Sequence, residues 1–318
     1  MSADAADRGS LTAEIAAHYA SGYEATRLEQ GWSRLEEART REILARYLPR
    51  PPAVVLDVAG AAGPYAFWLA DRGYRVHLRD ALPLHVEMAR RAASERSGAP
   101  LLSIAVGDAR RLDRPDGSVD AVLLLGPLYH LTEPADRLGA LGEARRVLRP
   151  GGVAFVVGVS RFASLLDGLR EGYLDDPDFA SIVEGDLRDG QHRNPSGNPA
   201  YWTTAFLHHP DELVGEVSEA GLTVERCLAV EGPTRAIRDF EAWWADPERR
   251  ERLMALLRLV EAEPTLLGAS PHLLVVARRG GVRSPRSGKD RGQRARRSPA
   301  AEVNSNPLAA HPTSTSGL

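Results

Sequence analysis

Three aspartates and a Tyr-His pair, each placed just after an apolar run, are the residues of this chain whose types and spacing can do chemistry. Asp57 stands in Val54-Val55-Leu56-Asp57-Val58-Ala59-Gly60-Ala61-Ala62-Gly63, where an apolar run enters a turn of small residues. Such a turn lets the backbone approach a nucleotide-like ligand closely. The Asp57 carboxylate can accept hydrogen bonds from the turn's amides or, through water, from a ligand ammonium; a turn-stabilising aspartate is the alternative. Asp80 ends a second apolar run, a position suited to both hydroxyls of a ribose, the alternative being an acid at a helix N-terminus. Gly107-Asp108-Ala109-Arg110 follows a third run. An aspartate there can accept from the exocyclic amine of a purine, while Ala109 and Arg110 offer backbone amides.

Gly126-Pro127-Leu128-Tyr129-His130-Leu131 follows a fourth run. A neutral imidazole is a base suited to pH near 7, so Tyr129 and His130 are candidates to position or deprotonate an acceptor; packing beneath a ligand is the alternative. His208 is a further candidate base, with His209, although His209-Pro210-Asp211 also reads as a helix start. Tyr201, Trp202, Phe206, Trp243 and Trp244 either line a pocket for an apolar substrate or pack as core. No ligand spacing announces a metal site.

The elements that must position these residues alternate. Strands are expected over 53–58, 74–79, 101–106, 119–125 and 153–159, with helices over 65–72, 84–97 and 135–148 between them. That rhythm predicts an α/β fold, a mostly parallel sheet covered by helices on both faces. Strands over 222–230 and 271–277 come without the usual crossover and predict an antiparallel edge. A mostly helical segment over 11–48 precedes the core, behind a polar, acidic stretch over 1–10. Between 160 and 210 the pattern dissolves into Gly-, Pro- and Asp-rich sequence with one short helix near 162–170, which reads as a lid or binding element. The domain reading is a disordered 1–10, a helical cap over 11–52, a core over 53–277 with insertions at 160–210 and 231–270, and a disordered basic tail over 278–318.

Composition narrows the partners. The chain has 318 residues, 43% hydrophobic and 26% charged, and a net charge of −3. Nine Lys/Arg and one Asp between 278 and 297 put +8 there, leaving about −11 on the remainder, whose acidity argues against specific nucleic-acid binding. Lys289 is the one lysine, and the arginine and alanine bias points to a GC-rich genome. The single cysteine, Cys227, excludes an intramolecular disulfide and suits a reducing compartment. With no signal-peptide core and no apolar run of bilayer length, a cytoplasmic location and no membrane partner are expected.

The order of these motifs, with Leu148-Arg149-Pro150-Gly151-Gly152 before the fifth strand, resembles the class I S-adenosylmethionine-dependent methyltransferases, bacterial small-molecule members with a GPLYHL-type loop above all. The resemblance runs over about 11–277. It implies a doubly wound, mostly parallel seven-stranded sheet (a Rossmann-like methyltransferase fold) with a helical N-terminal cap and lid insertions. It implies S-adenosylmethionine as cofactor. Asp57 and the turn through Ala59, Gly60, Ala61 and Gly63 would hold its methionine part. Asp80 with Ala81 would bind the ribose, and Gly107, Asp108 and Ala109 would border the adenine, with Gly126 on the fourth loop. Tyr19, Tyr23 and Arg27 would close over the pocket. The expected reaction is methyl transfer to an O or N atom of a small molecule by a monomer or homodimer. The departure is Ala59 and Ala61, where the family usually has glycine; the first reads as mild, while the second places a Cβ near the ligand or at a positive φ. A non-catalytic cofactor or metabolite binder is the rival reading. A nicotinamide oxidoreductase is disfavoured because Gly-x-Gly-x-x-Gly is missing.

Overall fold

The computed structural model describes Tyr19, Leu28 and residues 30–281. Five strands form the parallel part of one sheet. β1 (Val54–Val58) lies between β2 (Arg75–Asp80) and β4 (Val119–Leu124), β3 (Ser103–Val106) flanks β2, and β5 (Leu148–Ser160) flanks β4. β9 (His272–Arg279) runs antiparallel along β5, and β8 (Leu222–Ala229) antiparallel along β9.

Alternation along the strands decides which helices each face needs. Leu56, Val122, Leu124, Ala154, Val156, Leu273 and Val275 share one core with Ala140, Leu141, Ala144, Leu213 and Val217. Val55, Ala121, Leu123, Val153, Phe155, Leu274 and Val276 share the opposite one with Ile43, Leu44, Ala66, Leu69 and Ala89. The first face is therefore covered by α4 (Pro134–Val147) and α7 (Pro210–Glu219). The second is covered by α1 (Ser33–Tyr47), α2 (Pro64–Ala70) and α3 (Pro83–Glu95). The sheet is doubly wound.

The segment over 160–210 is more ordered than its composition implies. It holds α5 (Ala163–Glu171), α6 (Pro177–Asp189) and two short strands, β6 (Gln191–His192) and β7 (Ala205–His208). β7 pairs in parallel with Val159 and Ser160 of β5 and antiparallel with β6, so the sheet has nine strands rather than seven. Its place follows from edge occupancy: β9 holds one edge of β5, and β4 leaves the other at Val156. The hairpin is fastened on both sides. His192 reaches Asp186 of α6 at 2.9 Å, and the Gln191 amide donates to the Thr132 carbonyl at 3.1 Å. The segment is thus an ordered extension of the sheet at β5, with β6 and β7 tied down.

Over 231–270, α8 (Phe240–Ala245) and α9 (Pro247–Val260) pack Phe240, Leu253 and Leu257 against Leu35 of α1. Among the described residues no helix is long and apolar enough to cross a membrane.

Candidate functional site

A cavity of about 550 Å³ opens where the parallel strands end, the edge at which open α/β sheets bind ligands. Asp57, Ala59, Gly60, Ala61, Asp80, Ala81, Gly107, Asp108, Ala109, Gly126, Tyr129 and His130 all line it, and Tyr19 does too. Tyr23 and Arg27 lie outside the described residues.

The turn after β1 is held in a manner the sequence reading did not anticipate. Its amides do not go to Asp57. The Gly60 N–H donates to the Arg79 carbonyl at 3.2 Å, the Gly63 N–H to the Gly60 carbonyl at 2.8 Å, and the Ala61 N–H to Asp80 Oδ2 at 2.9 Å. Asp80 Oδ1 accepts from the Leu82 N–H at 2.9 Å and meets His85 Nδ1 at 3.1 Å. Asp80 therefore welds the β1 turn to the β2 turn while facing the cavity. Asp57 is buried and its Oδ2 has no hydrogen-bond partner. Gly63, a left-handed N-cap of α2 at φ 91°, supports the turn and does not line the cavity.

Ala59 and Ala61 both take positive φ, 58° and 48°. The backbone keeps the path that glycine would follow, and both positions carry the strain, Ala59 no less than Ala61. Left-handed backbone costs an L residue roughly 1–2 kcal/mol, partly offset by the lower entropy of an unfolded alanine. Ala59→Gly combined with Ala61→Gly is expected to raise the melting temperature by a few degrees, about 1 kcal/mol. An unchanged or lower midpoint in thermal unfolding would remove the strain argument. Gly60 is different: a Cβ there would sit 2.7 Å from Asp57 Oδ2, so only glycine fits.

Burial, reinforced by the charge of Asp80, pushes the Asp57 carboxyl up to about 7. The folded chain then holds a proton that the unfolded chain releases from about pH 4 upward. The stability this proton confers is fully present below pH 4 and is lost as pH rises through about 7. Urea melts at pH 5 and pH 8 should show the protein losing stability relative to Asp57→Asn across that interval. Parallel behaviour of the two proteins would show that Asp57 ionises as freely in the folded state.

At the third loop, Arg110 engages both oxygens of Asp108, at 3.0 and 2.7 Å, and reaches Asp136 at 3.0 Å. Burial raises the Asp108 carboxyl, but the hydrogen bonds from Arg110 outweigh it and hold the group below its ordinary value. Asp108 thus borders the cavity as a carboxylate shared with Arg110.

At the fourth loop, Tyr19 Oη lies 2.5 Å from His130 Nε2, and the Tyr19 ring meets the rings of His85 and His130 edge-on. Arg137 holds this loop from below. It donates to the Leu131 and Thr132 carbonyls at 3.0 and 2.8 Å, and clasps Glu216 of α7 at 2.7 Å.

His208 is a correction. It is fully buried beneath the sheet edge, 3.3 Å from Glu216, and does not line the cavity. Burial lowers its imidazole, more than Glu216 raises it. His209 caps α7: its ring accepts from the Asp211 N–H, and Glu212 accepts from the His209 N–H at 3.0 Å. The aromatic residues are also core rather than pocket. Tyr201 packs with Phe179 and Ile182, Trp243 and Trp244 with Phe240, and Phe206 under the guanidinium of Arg137; none of them, nor Trp202, lines the cavity.

Residues the sequence reading passed over complete the far wall: Glu36 and Thr40 of α1, Val157, Val230 and His272. Their signal was available. Glu231 follows β8 as Asp57 and Asp80 follow their strands, and His272 opens a strand that runs the other way.

Residues 55–152 match the family model described as "Methyltransferase domain". A ubiquinone/menaquinone biosynthesis C-methyltransferase (UbiE) of Ruegeria sp. is 34% identical over 185 residues, 54% of this chain and 67% of that protein. The chain belongs to the S-adenosylmethionine-dependent methyltransferases. The protein of the same name from Acidiphilium cryptum is 38% identical over 122 residues, 38% of this chain. The chain spans about half the length of several curated relatives it matches, 48% of the Acidiphilium one. Among solved structures, a SAM-dependent methyltransferase of Methanosarcina mazei shares the fold at a TM-score of 0.52 and 20% identity, covering 76% of this chain and 98% of its own.

The residues of this methyltransferase-family chain fit the family's cofactor. Asp80 presents a carboxylate at the end of β2, Gly107 and Gly126 add no side chain of their own to the third and fourth loops, and the 59–61 backbone retains the glycine path. Asp57 Oδ2 is a buried acceptor still lacking a donor, as a site for an ammonium would be.

Proposed function

We propose that this protein transfers a methyl group from S-adenosylmethionine to an O or N atom of a small organic acceptor. The observation that carries the reading is a single cavity whose near wall is the Asp80-welded pair of turns and whose far wall is built from α1, Val157, Val230 and His272. The near wall suits the cofactor, and the far wall leaves room for a second molecule. When bound, the sulfonium supplies a methyl group already activated toward nucleophiles. The protein's part is then placement and exclusion of water. Asp80 accepts from the ribose hydroxyls, Asp57 faces the methionine end, and Tyr19, anchored on His130, closes the near side.

Methylation at carbon is the second reading. The names of the relatives describe it, and Leu28, Leu125, Val157 and Val230 give the cavity the apolar lining a ring prefers. The family match spans residues 55–152, and Glu36, Thr40, Val157, Val230 and His272 of the far wall all lie outside it, so the choice of acceptor rests on residues outside it.

Titration calorimetry with S-adenosylhomocysteine, followed by incubation with labelled S-adenosylmethionine and a panel of phenols, primary amines and quinols, tests the proposal. Binding is expected, with product spectra placing the label on oxygen or nitrogen. A carbon-bound methyl would favour the second reading, and no binding by the folded protein would overturn both. Binding without turnover of any panel member would favour the non-catalytic rival.

A further inference from the structure

Glu36, Glu231 and His272 converge on the far wall, their ligand atoms all within 4.8 Å of one another. They come from α1, from the residue pair after β8 and from the first position of β9. β9 is antiparallel, so its beginning, rather than its end, reaches the ligand edge; His272 pairs with Val159 near the end of β5. Three strand spacings separate β9 from β1, about 14 Å. His272 therefore stands at the end of the cavity away from Asp57 and the turn after β1, where an acceptor would sit.

The carboxylate behind His272 is built in. Glu231 Oε1 lies 2.5 Å from His272 Nδ1, and Glu231 Oε2 accepts from the Ser270 hydroxyl at 2.8 Å and from the His272 N–H at 3.1 Å. Ser270 in turn accepts from the Glu231 and Gly232 amides at 3.0 and 3.1 Å. Glu231 and Ser270 are buried. A carboxylate only accepts, so Nδ1 carries the proton shared with Glu231, and Nε2 is the ring nitrogen that can exchange a proton. A carboxylate fixing one ring nitrogen so that the other takes a proton is the logic of an oriented general base.

We infer that His272 is the proton-accepting residue for the acceptor and Glu231 the residue that positions it, so that the acceptor is a hydroxyl or amine bearing a removable proton. The inference rests on the methyl-transfer reading above. The acceptor's O–H or N–H proton passes to Nε2 while the oxygen or nitrogen lone pair forms the bond to the methyl carbon. The carbon–sulfur bond breaks with its electron pair staying on sulfur, which becomes a neutral thioether, and His272 is left as an imidazolium that returns its proton to solvent. Among the described residues, the charged groups around that imidazolium include Glu36 on α1, Glu231 and Arg235 after β8, and Asp167 on α5, which pairs with Arg235.

Three measurements on the full chain test this. Histidine-selective nitrogen-15 spectra of the wild type should show His272 as the Nδ1–H tautomer, and Glu231→Gln should lower its titration midpoint. The Nε2–H tautomer, or an unchanged midpoint, overturns the inference. His272→Gln should bind S-adenosylhomocysteine within about threefold of the wild type; a tenfold loss would place His272 in the cofactor pocket and overturn it. With whichever panel phenol or amine is turned over, His272→Gln should lower kcat by 10²–10⁴-fold at pH 7, with little change in KM. The deficit should shrink as pH approaches the acceptor's own pKa, and a wild-type rate overturns the inference. Micromolar zinc binding lost in both His272→Gln and Glu36→Gln would instead make the cluster a cation site. Failure of the wild type to bind S-adenosylhomocysteine is separate: it overturns the methyl-transfer reading, while the tautomer still reports on the dyad.

Discussion

Asp80→Asn should weaken S-adenosylhomocysteine binding by one to two orders of magnitude. Two separate losses add up to that figure. The carboxylate is the ribose acceptor in the proposed binding mode, and a hydrogen bond to a charged group contributes about 1.5–3 kcal/mol, roughly 10–150-fold in Kd. The same carboxylate accepts from the Ala61 and Leu82 amides with its two oxygens. In asparagine one oxygen becomes an NH2 group that faces an N–H donor, so one of the two turns must let go. His85, at 3.1 Å from Oδ1, does not replace the Ala61 bond, which is made to Oδ2. The comparison is made by calorimetry on folded protein with matched thermal unfolding curves. A Kd within threefold of the wild type would show that Asp80 serves the turns alone.

The largest expected loss of stability comes from a buried ion-pair cluster behind the cavity's far wall. Arg39 of α1 is completely buried, its guanidinium bonded to Glu261, to Glu42 at 2.7 Å and to the Val230 carbonyl at 3.2 Å. Glu261 also takes Arg46 at 2.5 and 2.8 Å, and its backbone carbonyl accepts from the Ala229 N–H at 2.7 Å. Burial raises the Glu261 carboxyl, but its two arginines outweigh this and hold it below its ordinary value, so it is charged at neutral pH. Glu261→Ala would strand the Arg39 charge inside the protein. Breaking such a pair costs roughly 3–5 kcal/mol. Glu42 remains to share the charge, which puts the expected loss near the lower figure, about 6–12 °C in Tm. A shift under 2 °C would mean that water or Glu42 takes over entirely. Because α1 carries Glu36 and Thr40 into the cavity wall, the same variant should also loosen the far wall.

The parallel half of the fold was legible because its central strands, β1, β4 and β5, are buried apolar runs, although antiparallel β9 carries a run of the same kind over 273–277. Helix starts came out one residue late, at 65, 84 and 135, for one reason: among the described residues six α-helices begin on proline. Proline at the first helical position has a helical φ and no N–H to lose, so it belongs inside the helix. The same chemistry hid α6 altogether. Asp176-Pro177-Asp178 looks like a loop, yet Asp176 accepts from the Asp178 N–H at 2.9 Å and is a helix cap. On the near wall, residue types at strand ends sufficed to find the cavity. What they did not reveal was bonding: Asp57 takes no turn amide and Asp80 takes two. His208 and Phe206 misled because a side chain's direction depends on which edge of β5 the hairpin occupies, and a four-residue strand carries no mark of that. The far wall was missed because strand ends were read only in the parallel direction.

The reversed course of β9 has a consequence for how such a chain can diversify. Apart from α1, the near wall is encoded before residue 137 and the far wall after residue 156, with β5 as the seam between them. A single recombination crossover within β5 would exchange Val157, Val230 and His272 for their counterparts in another such protein, while leaving the coding sequence of the near wall and of α1 untouched. The strand that runs backwards is what brings a residue from the far end of the chain, His272, into that exchangeable part of the wall.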